Sequence, residues 1–414
     1  MRNEHLFASL DGARNIILES VPVMRTEKVA LADALGRVLR EKVVSDIDYP
    51  RADVSSMDGY CLDSRLAAGA SSECPVTLPV AGKTTPGAEP PRAEPGTCVL
   101  ITTGAPLAGG TDSVVMYEDV EEKRGAGEVE SITITGPVPP GSHVRRRGEV
   151  IGEGDTVLEA GQVVNPQVLG VLASFAPGPY EVSRRPRAGV LATGDELVPS
   201  GADLPRYAIR DSNSPTLAGM LAEAGCDVIR AGHTPDTEYG IAQDLERYSD
   251  CDVVMISGGV SGGRFDFVPA CLERIGAEVV MRGVKVKPGK PVLFAIKGGT
   301  CYFGVPGNPV SAVVSFLMLF RPAVLAMMGR SDCLPVWVTA KAAGAFDKKS
   351  PYVSFAPGVL GSDLEVRPAR FLGSGDVMSL AGANALVCVP AEVDAVAAGD
   401  TVRVYPFAPF KQGG

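Results

Sequence analysis

The stretch DVVMISGGVSGGRFDF, residues 252–267, decides the fold. Its apolar run 253–256 is typical of a strand buried on both faces of a parallel sheet. Apolar residues from Phe267 to Ile275 then recur at helical spacing. The turn between strand and helix, where open α/β sheets bind ligands, contains four glycines: Gly258, Gly259, Gly262 and Gly263. Backbone N–H groups there favour an anion, although one such turn alone is as easily a plain connection without a ligand.

Two other stretches end in the same way, and this favours a ligand site. A second predicted strand, AGVLATGDEL at residues 188–197, ends at two adjacent carboxylates. A third, YFGVPGNPVS at residues 302–311, is followed by a turn that prolines make rigid. Between them VKVKPGKP, residues 284–291, adds lysines. Carboxylates, lysines and glycine-turn amides together suit a phosphate-bearing ligand with a divalent cation. The side chains concerned are Asp195, Glu196, Asp266, Lys285, Lys287 and Lys290.

Length and composition limit the class of protein. A chain of 414 residues with 45% hydrophobic and 21% charged residues predicts a globular protein of two to four domains. The net charge of −10 argues against a general nucleic-acid binder. Nine scattered cysteines without a Cys-x-x-Cys pair, and only three histidines, predict reduced cytoplasmic thiols and no zinc site. The apolar helix 310–328 contains Arg321 and Pro322, so we expect it to be buried rather than membrane-spanning.

The order of patterns predicts four domains. Residues 1–47 carry two helical patterns, the second at LADALGRVL, and 142–178 resume helix, so these two segments form a helical domain. Short strands with frequent turns place a small β domain at 48–141. Alternating strands and helices predict a doubly wound α/β domain at 179–329. Strand patterns return at 330–414, which we expect to be a second small β domain.

Three further sites have a plain and a functional interpretation. Asp58 precedes a glycine, which by default predicts a hairpin turn. Thr103 follows a predicted strand, where its hydroxyl either closes a turn or contacts a ligand at a domain interface. Arg147 belongs to HVRRRGE, residues 143–149, and such runs are usually a solvated face, with phosphate contact as the alternative.

Taken together, the motifs resemble the MoeA family of molybdopterin molybdenumtransferases, whose eukaryotic relative is the carboxy-terminal domain of gephyrin. Each motif is weak alone, but the ordered set is highly specific and spans the whole chain. The matching segments are SSMDGY (55–60), TTGAP (102–106), RRRGE (145–149), TGDEL (193–197), DSN (211–213), SGGVS (257–261), KPGKP (287–291), VPGNPVSA (305–312) and LGSGDVMSLAGANAL (372–386).

The resemblance implies an architecture and a reaction. The architecture is multidomain α/β plus β: a central doubly wound α/β molybdopterin-binding domain, a helical dimerisation domain with an inserted small β domain, and a C-terminal small β-barrel-like domain, assembled as an elongated homodimer. The reaction takes adenylylated molybdopterin and molybdate, hydrolyses the adenylyl phosphoanhydride with Mg²⁺ and releases AMP. The charge, the cysteine pattern and the interrupted apolar helix predict a cytoplasmic protein with neither nucleic-acid nor membrane partners. Transient contacts with molybdopterin adenylyltransferase and molybdoenzyme maturation proteins are expected.

The same resemblance implies roles for individual residues. Asp266 and Glu196 would hold the cation or orient the oxyanion and water, and Asp58 would join them as a catalytic residue. Asp58 and Thr103 match positions that complete the site from the other subunit, and Ser374 matches a position of the terminal domain near the same cleft. The implied substrate-binding residues are Thr103, Gly258, Gly259, Ser261, Lys285, Lys287, Lys290, Pro306, Pro309, Ser374 and Arg147.

Two departures from the family pattern leave alternatives open. Val150 stands where the family usually has an acidic residue, and Arg264 stands before Asp266 in a segment that usually carries an acid. Both changes make the site more positive if the side chains point inward. They motivate the alternatives of a catalytically impaired paralogue that acts as a molybdopterin-binding scaffold, or of a tungstate-preferring insertase. A different nucleotide-pyrophosphate hydrolase is disfavoured, because the flanking domains also match the family.

Overall fold

The structure is a computed structural model that describes residues 5–261 and 266–409. The chain divides into two compact units. Unit 1 takes the described residues of Met1–Glu41, Ala160–Asn165 and Tyr180–Gly414, and unit 2 takes Lys42–Glu159 and Pro166–Pro179. Gly262, Gly263 and Arg264 of the stretch 252–267 lie outside the described residues.

The secondary structure of the described residues is as follows. The strands are β1 His5–Ala8, β2 Thr26–Val29, β3 Val43–Val44, β4 Val54–Ser55, β5 Gly59–Leu62, β6 Val76–Thr84, β7 Cys98–Ile101, β8 Ser113–Met116, β9 Val120–Gly125, β10 Glu128–Ile134, β11 Val144–Arg145, β12 Thr156–Leu158, β13 Tyr180–Ser183, β14 Arg187–Thr193, β15 Leu197–Val198, β16 Ile209–Arg210, β17 Asp227–Thr234, β18 Val253–Ser257, β19 Glu278–Val284, β20 Val286–Lys287, β21 Leu293–Lys297, β22 Thr300–Val305, β23 Val338–Ala342, β24 Phe346–Asp347, β25 Val353–Leu360, β26 Glu365–Pro368, β27 Ala385–Val389, β28 Ala395–Val396 and β29 Thr401–Pro406. The α-helices are α1 Leu10–Ser20, α2 Pro166–Phe175, α3 Asn213–Glu223, α4 Glu238–Arg247, α5 Val268–Arg274, α6 Pro309–Ser315, α7 Arg321–Met327 and α8 Val377–Gly382.

Unit 1 is built around a seven-stranded sheet in the order β1-β19-β21-β22-β18-β14-β17. The strands β22, β18, β14 and β17 are parallel neighbours, whereas β21 runs antiparallel to both β19 and β22. Every residue of β18 is buried, as its apolar run predicts. The parallel part of the sheet therefore brings the carboxyl ends of β14, β18 and β22 to one edge.

Helices cover both faces of this sheet. Side chains of β18 alternate between two cores: Val253 and Met255 pack with α3 and the 309–327 helical run, and Val254 and Ile256 pack with α4 and α5. The run 309–327 joins α6 to α7 through a π-helical segment, Phe316–Phe320. It is long and apolar enough to cross a membrane, but 89% of it is buried in the fold. The expectation of a buried helix is confirmed.

A small barrel completes unit 1. Its strands follow the order β25-β26-β23-β29-β27, and a further pairing of β25 with β27 closes the ring. The inside is filled by aliphatic side chains such as Leu360, Val387 and Val404. The short strand β20 pairs in parallel with β25, so Val286 and Lys287 extend this sheet.

Unit 2 contains a six-stranded sheet in the order β8-β5-β7-β6-β10-β9, together with α2 and two small strand pairs. Its core includes Tyr60, whose ring is fully buried and whose hydroxyl donates to Glu122 at 2.7 Å. The short strands predicted at residues 48–141 are present.

The second helical pattern of the amino-terminal segment, LADALGRVL, is a wrong prediction. Only a 3₁₀ turn, Leu31–Asp33, forms there. Gly36 adopts a φ of 73°, and Val38 and Leu39 form bridges with Val163 and Val182. The helical spacing of the apolar residues is overridden by these long-range strand contacts.

Candidate functional site

A cleft of about 710 Å³ lies at the carboxyl edge of the parallel strands in unit 1. It forms there because β14, β18 and β22 all end at this edge, and each is followed by a turn. The lining combines carboxylates, hydroxyls, two amides, one guanidinium and prolines. The lining residues are Thr193, Glu196, Leu197, Ile209, Arg210, Asp211, Ser212, Asn213, Ser257, Gly259, Val260, Ser261, Asp266, Pro291, Pro306, Gly307, Asn308, Pro309, Gly375 and Val377.

The turn after β18 is packed too closely for a side chain. The backbone N–H of Gly258 donates to Val305 O at 3.0 Å, which fixes the turn to the neighbouring strand end. A Cβ on Gly258 would lie 2.5 Å from Thr193 O, and its φ of 98° is in the region that favours glycine. A Cβ on Gly259 would lie 2.8 Å from a methyl of Val268. Gly258 allows the close approach of this turn to the end of β14, and Gly259 allows its close approach to the start of α5.

The buried amide of Asn213 links two of the three turns. Its Nδ2 donates to Ser257 Oγ at 2.8 Å and to Gly307 O at 2.7 Å. Since both amide hydrogens are used, Asn213 holds the end of β18 against the turn after β22. Asn213 was not among the predicted site residues, and its position in the DSN motif, residues 211–213, is the one sequence signal that points to it.

Three carboxylates line the cleft. Asp266 Oδ2 accepts a hydrogen bond from Ser261 Oγ at 2.7 Å, so two predicted site residues contact each other. Glu196 is exposed at the turn after β14, and Asp211 Oδ1 accepts from the Ser214 N–H at 3.0 Å at the start of α3. Within the described residues no three Asp, Glu, His or Cys side chains cluster closely enough to hold a metal ion by themselves.

The adjacent carboxylate Asp195 is held outside the lining. Its Oδ1 accepts from the Asp236 N–H at 3.1 Å, and Asp236 in turn accepts from the hydroxyl of Thr193 at 2.8 Å. Of the two acids in the TGDEL turn, only Glu196 faces the cleft.

The three predicted lysines do not appear among the described lining residues of the cleft. All three are exposed. Lys285 lines a different cavity, beside α1 and the barrel. The ammonium of Lys290 lies 4.6 Å from the ring centre of Phe7 and 5.8 Å from that of Tyr352. A substrate contact by these lysines stays a prediction.

Other predicted residues of unit 1 lie at or beside the cleft. Pro306 and Pro309 line it, as do Gly259 and Ser261. The carbonyl of Ser374 accepts from the Val310 N–H at 3.0 Å, and the next residue, Gly375, lines the cleft. The prediction that Ser374 lies near the cleft therefore agrees with this contact, whereas its substrate contact stays a prediction.

In unit 2, Asp58 and Thr103 contact each other. Asp58 Oδ1 accepts from the backbone N–H of Thr103 at 2.6 Å and from its hydroxyl at 3.0 Å. Both residues are exposed, so this pair is available to a ligand as well as closing the turn. The interpretation of Asp58–Gly59 as a hairpin turn is wrong, because β4 pairs with β11 whereas β5 pairs with β7 and β8. A ligand contact by Asp58 and Thr103 stays a prediction.

The arginine run of unit 2 is largely engaged in ion pairs. The guanidinium of Arg147 donates to Asp48 Oδ2 at 2.5 Å, and its backbone N–H donates to Asp53 at 2.9 Å. This backbone hydrogen bond is the main reason that the pKa of Asp53 is lowered. The pKa of Asp48 is lowered chiefly by the N–H of Glu153 and next by Arg147. Val150 is 54% exposed.

Models of three families match consecutive parts of the chain. The MoeA N-terminal region (domain I and II) matches residues 8–176, a probable molybdopterin binding domain matches 189–326, and the MoeA C-terminal region (domain IV) matches 339–407. The second of these includes nearly all residues that line the cleft.

Individual proteins match over almost the full length. A molybdopterin molybdenumtransferase of Haemophilus influenzae is 35% identical over 407 residues, which are 96% of this chain and 98% of the relative. One of Synechococcus elongatus is 33% identical over 385 residues, 91% and 94% of the two chains. The crystal structure of a molybdopterin biosynthesis MoeA protein from Pyrococcus horikoshii is 30% identical, with a TM-score of 0.82 over 98% of this chain and 100% of that one. The family resemblance and the fold class expected from the ordered motifs are confirmed.

Proposed function

Because this chain belongs to the MoeA family of molybdopterin molybdenumtransferases, and is thus a transferase of molybdenum cofactor biosynthesis, we propose that its cleft takes adenylylated molybdopterin and molybdate. The adenylyl phosphoanhydride is hydrolysed, AMP leaves, and the metal stays on the dithiolene of the pterin. The single observation that carries this proposal is the convergence of Glu196 and Asp266 with the glycine turn of β18 at one sheet edge.

The geometry supports separate tasks for these groups. The amides of the turn at Gly258 and Gly259 suit an anionic group of the substrate, because backbone N–H groups at a strand–helix turn favour negative charge. Asp266, oriented by Ser261, is placed to orient or deprotonate the attacking water. Asn213 keeps the two turns at a fixed distance, so the reacting groups do not have to be assembled when substrate binds.

The donors of the cleft fit Mg²⁺ as a shared ligand. Glu196 and Asp266 supply hard carboxylate oxygens, and the described residues do not form a closed metal cage. Mg²⁺ usually binds through one or two carboxylates, waters and substrate phosphates. When bound, it would neutralise charge that develops on the leaving phosphate. Glu196 and Asp266 are the residues that would hold it.

We further propose that Asp58 and Thr103 complete the site from a second copy of the chain in a homodimer. The support is the family resemblance together with the exposure and mutual contact of the two side chains. Arg147 and the lysines Lys285, Lys287 and Lys290 remain proposed anion contacts in the same assembly. Nine free cysteines agree with a cytoplasmic location. Molybdopterin adenylyltransferase and molybdoenzyme maturation proteins are the proposed transient partners.

The test is AMP release from adenylylated molybdopterin, measured with Mg²⁺ and with molybdate, tungstate or neither oxyanion. We expect release that depends on the oxyanion, falls when Mg²⁺ is chelated, and drops by at least about 100-fold in Asp266→Asn. Glu246→Gln, an exposed carboxylate on α4 outside the cleft, is the matched control and should keep wild-type activity. Absence of oxyanion-dependent release, with an active family member run in parallel, would overturn the proposal.

The comparisons do not favour the alternative of a scaffold without turnover. It remains an outcome of the same assay, because tight pterin binding without AMP release would support it. Val150, one basis for that alternative, is exposed on unit 2. Arg264, the other, lies outside the described residues. Tungstate in place of molybdate tests the oxyanion preference directly.

A further inference from the structure

The cavity between α1 and the small barrel of unit 1 has a volume of about 810 Å³. Among the described residues it shares no lining residue with the cleft at the carboxyl edge of the sheet. Side chains of both charges line it, together with aromatic and aliphatic ones. A cavity of this composition suits a ligand that carries both an acidic group and hydrogen-bond donors. The charged lining residues are Arg14, Lys285, Arg403, Asp11, Glu392 and Asp400.

Two arginines give this cavity a side that favours an anion. Arg14 is only 9% exposed, and its guanidinium donates to Met318 O at 3.1 Å and to Asp11 Oδ1 at 3.0 Å, so its position is fixed. Burial lowers the pKa of Arg14, Asp11 opposes this shift, and the positive charge of Arg403 lowers the pKa further. The two guanidinium groups are therefore close enough to repel each other, and an anion bound beside both would offset that repulsion.

Carboxylates face the same space. Cys388 lines the cavity, and its pKa is raised chiefly by burial, lowered by Arg403 and raised by Asp11 and Glu392. The two acids and the arginine thus lie around one sulfur atom. Asp11 is already paired with Arg14, whereas in the part of the chain that the structure describes neither Glu392 nor Arg403 forms an ion pair. Glu392 is therefore available to accept hydrogen bonds from a ligand.

Aromatic side chains form a wall of fixed orientation beside these charges. The guanidinium carbon of Arg403 lies 4.6 Å from the ring centre of Trp337, whose ring stacks on Phe355 with centres 6.2 Å apart and planes 20° apart. Tyr352 and Val393 line the same cavity, and Val393 is 39% exposed. Such a wall favours a flat ring over a small inorganic anion, which has no apolar surface to place against it.

We propose that this cavity is a second ligand site, which binds a flat 2-amino-4-oxopyrimidine ring that carries an acidic group. Pterin acids and guanine nucleotides share this chemistry. Arg14 and Arg403 hold the acidic group, and the ring lies against Trp337. Glu392 accepts the two adjacent N–H groups of the ring edge, because a carboxylate has two oxygens that accept such a pair together. The site is independent of the reaction proposed for the cleft.

The experiment measures the binding of two probes, 6-carboxypterin and GMP, to the full chain by equilibrium dialysis. We expect Arg403→Ala to weaken binding at least about 10-fold, because a charge-assisted hydrogen bond is lost, and Arg403→Lys to recover part of the affinity. The probe that binds more tightly identifies the source of the ligand. The matched control is Arg367→Ala, an exposed arginine of β26 that pairs with Glu365 outside the cavity lining. It should bind both probes as the wild type does.

Two simpler compounds separate the parts of the site. Glu392→Gln should weaken the binding of pterin without an acidic group by about 10-fold, whereas the binding of benzoate, which lacks the donor edge, should not change. Because Trp337 is the single tryptophan and lines the cavity, bound 6-carboxypterin should also quench its fluorescence. Asp266→Asn, a substitution in the cleft, should leave that quenching as it is in the wild type.

Three results would overturn the inference. The first is a wild-type chain that binds neither probe at millimolar concentration. The second is an unchanged affinity for both probes in Arg403→Ala and in Glu392→Gln. The third is loss of the quenching in Asp266→Asn, which would locate the bound pterin in the cleft. Circular dichroism spectra of each variant establish that these exposed substitutions leave the fold intact.

Discussion

Replacing Gly258 by alanine should destabilise unit 1 and disable the cleft. The new Cβ would lie 2.5 Å from Thr193 O, whereas ordinary contacts begin at 3.4 Å, so the turn or the strand end must move by about 0.9 Å. The φ of 98° adds backbone strain of about 1–2 kcal/mol for a residue with a side chain. Overpacking of this kind costs about 1–3 kcal/mol more. We therefore expect the free energy of unfolding to fall by about 2–5 kcal/mol.

A second glycine separates the two contributions. Gly299 has a φ of 94°, nearly that of Gly258, but nothing lies within 4 Å of the position its Cβ would take. Gly299→Ala should therefore cost only the backbone strain, about 1–2 kcal/mol. Urea denaturation followed by fluorescence suits the comparison, because Trp337 is the single tryptophan and belongs to unit 1.

Catalysis should respond more strongly than stability. A displacement of about 1 Å at a reacting group costs on the order of 100-fold in rate, so Gly258→Ala should lose about that factor in kcat/KM while Gly299→Ala should not. If both substitutions cost the same free energy of unfolding to within about 0.5 kcal/mol, the close approach to Thr193 is not what requires glycine at this turn.

Three other predictions concern separate parts of the chain. Asn213→Ala removes two hydrogen bonds and should lower the free energy of unfolding by about 2 kcal/mol in urea denaturation; a loss below about 0.5 kcal/mol would contradict its linking role. The hydrogen bond from Arg230 lowers the pKa of Asp250 in the folded state, so this carboxylate stabilises the fold above its unfolded pKa, and the contribution disappears as the pH falls through the folded pKa. The free energy of unfolding of Asp250→Asn should therefore fall less steeply than that of the wild type as the pH is lowered below about 5. An equally steep fall in both proteins would refute this. Burial raises the pKa of Cys301 to about 12, so iodoacetamide at pH ~8 should label exposed Cys74 first and Cys301 only after unfolding, as read by mass spectrometry; equal labelling rates would contradict it.

The parts of the site that follow from local sequence could be predicted. An apolar run, a glycine turn and a helical repeat occur within residues 252–275, and the structure has β18, a turn and α5 there. The placement of Glu196 and Asp266 at the same edge of the sheet could also be predicted, because the carboxyl ends of parallel strands lie at one edge.

Contacts between distant segments could not be predicted from such patterns. Asn213 donates hydrogen bonds to Ser257 and Gly307, which lie 44 and 94 residues away in the sequence. A local sequence pattern cannot predict such contacts. The ammonium of Lys290 lies 4.6 Å from the ring centre of Phe7, a residue distant in sequence, and no local pattern around residue 290 indicates this contact. The helical spacing of apolar residues at 31–39 likewise does not indicate the β-bridges that Val38 and Leu39 form with distant residues.

The amino-terminal strand has a practical consequence for handling this protein. His5–Ala8 forms the outermost strand of the seven-stranded sheet and pairs with Met281–Val284 of β19. Trimming the chain to residue 9 would replace the four-residue edge strand β1 by the seven-residue β19, and the backbone N–H and C=O groups of β19 that face β1 would lose their partners. A longer exposed edge recruits strands from other molecules more readily. Preparations shortened at this end should therefore self-associate with increasing concentration, and affinity tags are better attached at the opposite terminus.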